Sequence, residues 1–303
     1  MPPRIAALVV LVAAALAGCS ALVRAYLDYP DLRPLQFEEG ATPADAPAFA
    51  RSGPDDPYLT RLRETYGLDS VVAGAASDYE RVLRLSRWVR SRWDHNGQST
   101  PSRGDPITIL EEAAEGQRFR CVEYGVVLAG ALNAVGVPAR VLALKTSDVE
   151  TRRMGAGHVV AEAYLRDRGK WVMVDGQFDA VATLDGVPLS AVELQRALVE
   201  RPDDVRIEGA SAMDARRARY PGWIAPYLFY FDVALDGRYS GTRQAGRLML
   251  VPVGAPEPRV FQRDHPLRDL TYTRSIAAFY TPPAAPTTPG APAPASAAPA
   301  PAG

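Results

Sequence analysis

Two stretches in the middle of the chain repeat apolar residues at the helical period. Ser77 followed three residues later by Glu80 is a helix-start signature, so the apolar stripe behind it predicts a helix over residues 78–93. A second stripe predicts a helix over residues 121–135, which Gly136 ends. Both helices should bury one face against a sheet.

Strand-like alternation follows the second helix and predicts three strands, over residues 139–146, 158–165 and 170–175. The turn residues 166–169 join the last two strands as a hairpin. We expect Leu165 to pair with Lys170. This register makes Asp175 a diagonal neighbour of His158 on the same face, within reach of a hydrogen bond. A slip by one residue would separate the two side chains.

The last third of the chain has a weaker pattern. Residues 191–200 predict a helix, and residues 223–232 and 246–253 predict strands, the first of them rich in aromatic residues. Residues 281–303 are nearly all Pro, Ala, Thr and Gly. Such a segment cannot bury enough apolar area to offset its chain entropy, so we expect a disordered tail.

The N-terminus reads as an export signal. Arg4 precedes an apolar run over residues 5–17, which is too short to span a bilayer. The run ends in Leu-Ala-Gly-Cys-Ser, in which Cys19 occupies the position that is lipidated in bacterial lipoproteins. The resemblance to bacterial lipoproteins also implies that Ser20, which follows the lipidated cysteine, is compatible with sorting to the outer membrane. We expect a protein of the cell envelope that faces the periplasm and meets the membrane by its lipid anchor only; an ordinary signal peptide containing a cysteine is the alternative.

Charge and cysteine content narrow the function further. A net charge of −1 argues against nucleic acid or a polybasic membrane surface as the main partner. The chain has two cysteines, and lipidation would consume Cys19, so Cys121 would be left unpaired in an oxidising compartment. An unpaired thiol there is either buried as a small core residue or used. No cofactor motif and no set of residues with metal-ligand spacing is apparent, so none is expected.

Three short segments carry candidate chemistry: RFRCVEYG around Cys121, GAGHVV around His158 and KWVMVD ending at Asp175. The order Cys, His, Asp over residues 78–180 resembles the catalytic core of the transglutaminase-like superfamily. The resemblance implies an α+β papain-like fold, with the nucleophile helix packed on an antiparallel sheet and a C-terminal extension. It also implies a catalytic triad of these three residues. The family pattern continues past the aspartate with proline, whereas this chain has Gly176.

The position of Cys121 suits a nucleophile independently of the resemblance. It lies at the first turn of the predicted helix, where free amides and the helix dipole favour a thiolate and can bind an oxyanion. His158 would move the proton, and Asp175 would orient the imidazole. Gln117 is a second candidate for binding the oxyanion, but its position before the helix favours an exposed loop residue. The charged segment 147–157 is a candidate lid.

Together these patterns predict a lipid-anchored cysteine hydrolase or acyltransferase that forms a thioester with peptide or glutamine-type amides in the cell envelope. The alternative is a non-catalytic envelope-binding module on the same fold. The predicted segments are a signal peptide (1–19), a tether (20–57), the transglutaminase-like core (58–189), an extension packed on it (190–280) and the tail (281–303).

The anchoring prediction is tested by Cys19→Ser. The variant lacks the thiol that would carry lipid, so it should leave the membrane fraction or accumulate as an unprocessed precursor, with the remainder of the chain folded. Cell fractionation and mass spectrometry measure this. Recovery of wild-type mature protein with residues 1–19 present and unmodified would refute the anchor.

Overall fold

A computed structural model describes residues 32–44, 46–209, 214–242 and 245–284. The predicted signal peptide, Cys19, the first part of the tether and residues 285–303 of the tail lie outside the described residues. No helix in the described ranges is both long and apolar enough to cross a membrane.

Helices in the described residues are α1 Pro57–Thr65, α2 Leu68–Val72, α3 Asp78–Arg90, α4 Pro106–Ala114, α5 Cys121–Ala134, α6 Ala191–Glu200, α7 Asp214–Ile224 and α8 Ile276–Phe279. The strands are β1 Ala50–Arg51, β2 Ala139–Lys145, β3 Gly157–Leu165, β4 Lys170–Val174, β5 Val181–Leu184, β6 Val187–Pro188, β7 Val205–Glu208, β8 Tyr230–Ala234, β9 Asp236–Gly237, β10 Arg247–Leu250, β11 Val260–Phe261, β12 His265–Pro266 and β13 Leu270–Thr273.

The central sheet has six strands in the order β13-β10-β8-β2-β3-β4. Its neighbours are antiparallel except for the parallel pair of β10 and β13. Strands from residues 230–273 therefore continue the same sheet as β2, β3 and β4. A three-stranded sheet in the order β6-β5-β7 lies beyond β4. The molecule is an α+β protein with a largely antiparallel sheet, as the sequence predicts.

Each face of the central sheet has its own apolar core. Ala161 and Ala163 of β3 belong to the cluster that contains the buried residues of α1, α3, α4 and α5. Val160, the neighbour of Ala161, belongs to the opposite cluster, which contains residues of α6, α7, β8 and β10. Because side chains alternate along a strand, His158 lies on the Val160 face, and α5 packs on the other.

Close packing holds α5 against β3. A Cβ built on Gly125 would lie 3.0 Å from the Val160 carbonyl oxygen, so a larger residue at this position would push the helix away from the strand. α5 also begins within a capping arrangement, in which the buried Glu123 carboxylate accepts the Arg120 backbone N–H at 3.0 Å. The start of α5, and hence Cys121, is fixed relative to β3.

Most predicted elements of the core are confirmed. The helix predicted over residues 121–135 is α5, and the pairing of Leu165 with Lys170 is observed. The helix predicted over residues 78–93 is α3, which ends at Arg90. Within the strand predicted over residues 246–253, only β10, Arg247–Leu250, is observed as a strand. The helix predicted over residues 191–200 is α6.

The strand predicted over residues 223–232 is wrong over residues 223–229. α7 continues through Ile224, a short 3-10 turn follows over Ala225–Tyr227, and the strand begins at Tyr230. Aromatic residues are enriched in strands, which favoured the prediction. Pro226 was the contrary signal, because it lacks the N–H that a central strand must donate.

The limits of the five predicted segments stay a prediction. Within the predicted tether, Phe37 packs edge-to-face on Phe231 at a ring distance of 6.2 Å. At the start of the predicted tail, the Thr281 carbonyl accepts the Trp171 indole N–H at 3.0 Å. A residue of the predicted tether therefore packs on the predicted extension, and a residue of the predicted tail is bound to the predicted core.

Candidate active site

Cys121 is the first residue of α5 and is a half-buried, free thiol. The chain approaches it through Phe119, whose carbonyl accepts the Asn96 backbone N–H at 2.8 Å. The amide groups of the first helical turn have no acceptor within the helix, so their partial positive charge favours an anion at this end. Cys121 therefore lies where a thiolate is electrostatically favoured.

His158 and Asp175 form a buried pair. The His158 Nε2 atom lies 2.7 Å from Asp175 Oδ2, and the two side chains are 3% and 0% exposed. The register predicted from sequence brought these residues together, although β4 itself ends at Val174. Because Asp175 occupies Nε2, the Nδ1 atom is left for Cys121, which makes a side-chain hydrogen bond to His158.

The charge of Asp175 controls the protonation of His158. Burial by itself would lower the pKa of this imidazole. The negative charge of Asp175, the hydrogen bond to it and the contact with Cys121 outweigh burial and raise the pKa from 6.5 to about 9. His158 is therefore a cation at neutral pH, held between a carboxylate and a thiol.

The second oxygen of Asp175 is held by the turn that follows. Asp175 Oδ1 accepts the backbone N–H groups of Gln177 at 3.0 Å and Phe178 at 3.3 Å. Gly176, which replaces the proline of the family pattern, lies tightly against α5. A Cβ added there would meet the Tyr124 carbonyl and the Leu128 side chain, each at 3.3 Å. The turn thus fixes the carboxylate with main-chain donors.

Tyr220 of α7 completes the environment of Asp175 and was missed from sequence. Its hydroxyl donates to Asp175 Oδ2 at 3.0 Å, the same oxygen that pairs with His158. Burial, together with the charge and hydrogen bond of Asp175, raises the pKa of Tyr220 well above its ordinary value, so the hydroxyl keeps its proton. No spacing pattern links Tyr220 to the triad, because α7 reaches the site only through the tertiary fold.

Gln117, the weaker oxyanion candidate, and the other residues around Cys121 take different positions. Gln117 is exposed, and Glu123 is buried and paired with Arg120 at 2.7 Å. Tyr124 is a core residue whose hydroxyl donates to the Trp93 carbonyl at 2.7 Å. His95 is exposed overall. The burial of part of its ring lowers its pKa, and the charge of His158 lowers it further, so His95 lies within electrostatic range of the site.

The candidate lid over residues 147–157 is attached to a neighbouring loop. Gln262 donates its backbone N–H to the Val149 carbonyl at 2.8 Å, and its side chain accepts the Ala156 N–H at 2.9 Å. The Glu150 carboxylate accepts the Arg259 N–H at 2.8 Å. These bonds hold both ends of the segment, which argues against a freely moving lid.

No group of three or more His, Cys, Asp or Glu side chains in the described part of the chain is arranged to hold a metal ion. The site is thus described by its thiol, its imidazole and its carboxylate, together with the tyrosine that binds the carboxylate.

A family model described as the transglutaminase-like superfamily matches residues 68–176. This segment belongs to that superfamily. The transglutaminase-like domain contains Cys121, His158 and Asp175 and ends one residue past the aspartate. Tyr220 and the rest of α7 lie outside it. No curated protein sequence matches the chain significantly.

Solved structures of similar shape include a proposed cysteine protease from Cytophaga hutchinsonii, at 16% identity and a TM-score of 0.34, covering 52% of this chain and 50% of that one. Another is a proposed protease from Parabacteroides distasonis, at 16% identity and a TM-score of 0.28, covering 38% and 25%. A third is described as a TGase, at 20% identity and a TM-score of 0.30, covering 39% and 31%. The chain thus spans half or less of the length of these proteins.

The raised pKa of His158 predicts a titration that NMR can follow. The chain has three histidines, so the His158 signal can be assigned by its loss in His158→Gln. We expect a midpoint near 9, against 6.5 for an ordinary imidazole. In Asp175→Asn the midpoint should fall towards 6.5 or below, because burial is the largest effect and only the contact with Cys121 then opposes it.

The same shift predicts a pH dependence of stability. A pKa raised on folding stabilises the folded state fully below pH 6.5, and the contribution, about 3 kcal/mol for this span, is lost as the pH rises to about 9. The free energy of unfolding should fall over this window in wild type and less in His158→Gln. A wild-type NMR midpoint near 6.5 would contradict both expectations.

Proposed function

We propose that this protein is a cysteine-dependent enzyme that cleaves or transfers the acyl group of amides through Cys121. The observation that carries the proposal is the buried pair of His158 and Asp175, in contact with a free thiol at the first turn of a helix. Burying a charged pair is costly, and a core that needed only packing would not require it. Membership of residues 68–176 in the transglutaminase-like superfamily supports the same chemistry.

In the proposed reaction the Cys121 thiolate attacks the amide carbonyl carbon, and the C–N bond then breaks. His158 gives its proton to the departing amine, and the acyl group remains on sulfur as a thioester. The free amides of the first turn of α5 are positioned to donate hydrogen bonds to the carbonyl oxygen while it is negative. Water or a second amine then attacks the thioester, His158 takes a proton from it, and the thiolate leaves.

Asp175 and Tyr220 act through His158. Asp175 stabilises the imidazolium and orients the ring so that Nδ1 points to sulfur. Tyr220 shares Oδ2 of Asp175 with His158, and it therefore fixes the carboxylate and moderates its charge. We assign Tyr220 a positioning role.

We propose the cell envelope as the place of action and a protein or peptide amide as the substrate. This part of the proposal rests on the lipidation sequence at Cys19 and the neighbouring Ser20, which fit an anchor facing the periplasm. Peptide and glutamine-type amides are the substrates that the family resemblance implies.

The nucleophile is tested with Cys121→Ala. We expect the variant to lose covalent labelling by an amide-mimicking thiol probe, and to lose amide turnover, with little change in folding, because one half-buried sulfur is removed. His158→Ala should lose turnover to a similar extent, since the two residues act as one unit and their losses do not add. Labelling is measured by intact mass and turnover by product release.

Cys19→Ser is the matched control, because it removes the other cysteine and should keep the labelling. Wild-type turnover in Cys121→Ala would overturn the enzyme proposal. Slow labelling of wild type that is independent of His158 would favour the non-catalytic binding module.

The positioning role of Tyr220 is tested with Tyr220→Phe. Without the tyrosine hydrogen bond, Asp175 keeps more negative charge for His158. The alkaline limb of kcat/KM, expected near the His158 pKa of about 9, should therefore move upward, by about one pH unit. Looser orientation of the ring should also lower kcat about tenfold.

Tyr230→Phe serves as the matched control. Tyr230 is equally buried, and its hydroxyl donates to the neutral Pro256 carbonyl at 3.0 Å. This variant should lose stability and keep the pH profile of wild type. If Tyr220→Phe lowers stability in the same way and leaves the alkaline limb unmoved, its role is only structural.

A further inference from the structure

An aromatic wall stands beside His158, formed by Phe178, Trp223 and Tyr227. Trp223 meets the imidazole edge-to-face with 4.8 Å between ring centroids, and Tyr227 and Phe178 lie at 5.9 Å and 6.3 Å from it. Trp223 also packs on Phe178 at 4.5 Å and on Tyr227 at 5.3 Å, so the three rings form one continuous surface.

The wall is open to solvent at its centre. Trp223 is 37% exposed, and it belongs to the few large apolar side chains exposed in the described residues. A tryptophan ring exposed beside a buried imidazole offers apolar surface that a bound group can cover. The wall therefore has the exposure expected of a binding surface.

The position of the wall beside His158 assigns it to the amine half of the substrate. His158 must reach the nitrogen of the scissile amide, because it donates the proton to that nitrogen. Any group attached to the nitrogen therefore lies next to the imidazole, where Trp223 is in contact. Tyr227 continues the wall on the far side of Trp223 from Phe178 in sequence and lies 5.9 Å from the imidazole between ring centroids.

The chemistry of the wall favours an apolar group over a sugar. Sugar sites combine an aromatic face with free hydrogen-bonding side chains. Two of the polar side chains next to Trp223 are already engaged, since the Tyr220 hydroxyl and His158 both bind Asp175. Tyr227 is also near Arg152, but that guanidinium is paired with Asp148 at 3.0 Å. The ring faces remain for contact.

We propose that Phe178, Trp223 and Tyr227 form the subsite for the amine half of the substrate and select amines that carry an aromatic or large aliphatic group. The inference rests on the proposed function and adds to it the class of amine. The same subsite serves the departing amine in acylation and the incoming amine in transfer, because one step is the reverse of the other. Residues outside the transglutaminase-like domain thus set this part of the specificity.

The test separates acylation from amine selection by means of 4-nitrophenyl acetate. The Cys121 thiolate attacks the acetyl carbonyl, the C–O bond breaks, and 4-nitrophenolate leaves with the electron pair. An added amine then attacks the thioester carbonyl, the C–S bond breaks, and His158 accepts the amine proton. The nitrophenolate burst reports acylation, and mass spectrometry of the acetamides formed from equal phenethylamine and ethylamine reports selection.

We expect the full-length protein to form the phenethylamine product in about tenfold excess over the ethylamine product, after subtraction of the Cys121→Ala background. In Trp223→Ala this ratio should fall to about one, because the ring face is gone, while the nitrophenolate burst remains. Trp223→Phe keeps an aromatic face and should retain most of the preference. Val253→Ala, which removes an exposed apolar side chain after β10, should behave as wild type.

The outcomes distinguish a failure of the proposed amine subsite from a failure of the proposed enzymatic function. A burst with no preference between the amines, or an unchanged ratio in Trp223→Ala, would overturn the wall as an amine subsite. An equal loss of burst and of both products in Trp223→Ala would show that Trp223 only supports His158, and would also overturn it. Preference for an amino sugar over phenethylamine would indicate a sugar site instead. Absence of a Cys121-dependent burst would refute the proposed function itself.

Discussion

The burial of Asp175 is the constraint on which the candidate site depends. A carboxylate with no exposed surface is tolerated only when nearby groups replace the hydration it loses. Four donors do so: His158 and Tyr220 on one oxygen, and the backbone of Gln177 and Phe178 on the other. These donors come from β3, α7 and the turn after β4. Parts of the chain that are distant in sequence must therefore assemble around one charge.

The same arrangement explains how the imidazole is held as a cation inside the protein. Burial disfavours the charged ring, and the charge of Asp175, the hydrogen bond to it and the contact with Cys121 together outweigh burial. The charged ring thus lies between the Asp175 carboxylate and the Cys121 thiol and contacts both.

The sheet provides the place where these groups can meet. α5 packs on one face of β3, and His158 projects from the other. The thiol and the imidazole therefore approach each other at the end of the sheet, where β3 begins and α5 starts. Gly125 allows the helix to lie close enough to the strand for this meeting. The wall of Phe178, Trp223 and Tyr227 packs against the imidazole.

The sequence by itself determined the elements with a regular period and the pair that a short hairpin register controls. Turn residues and alternation were enough to predict the pairing of Leu165 with Lys170, and through it the approach of Asp175 to His158. The family resemblance identified the same residues, and the apolar stripe predicted the start of α5 at Cys121. These features are local, because a few residues of chain fix their geometry.

Only the tertiary structure decided what α7 contributes. Tyr220 lies 45 positions from Asp175 along the chain, and no local pattern relates them. The aromatic run that contains Trp223 was wrongly read as a strand, because its composition suits a strand. The segment is helical up to Ile224, so Tyr220 and Trp223, three residues apart, are neighbours on one side of the helix. Long-range contacts of this kind depend on how the whole core packs. A periodic pattern in one segment does not identify which side chain from a distant segment will contact it.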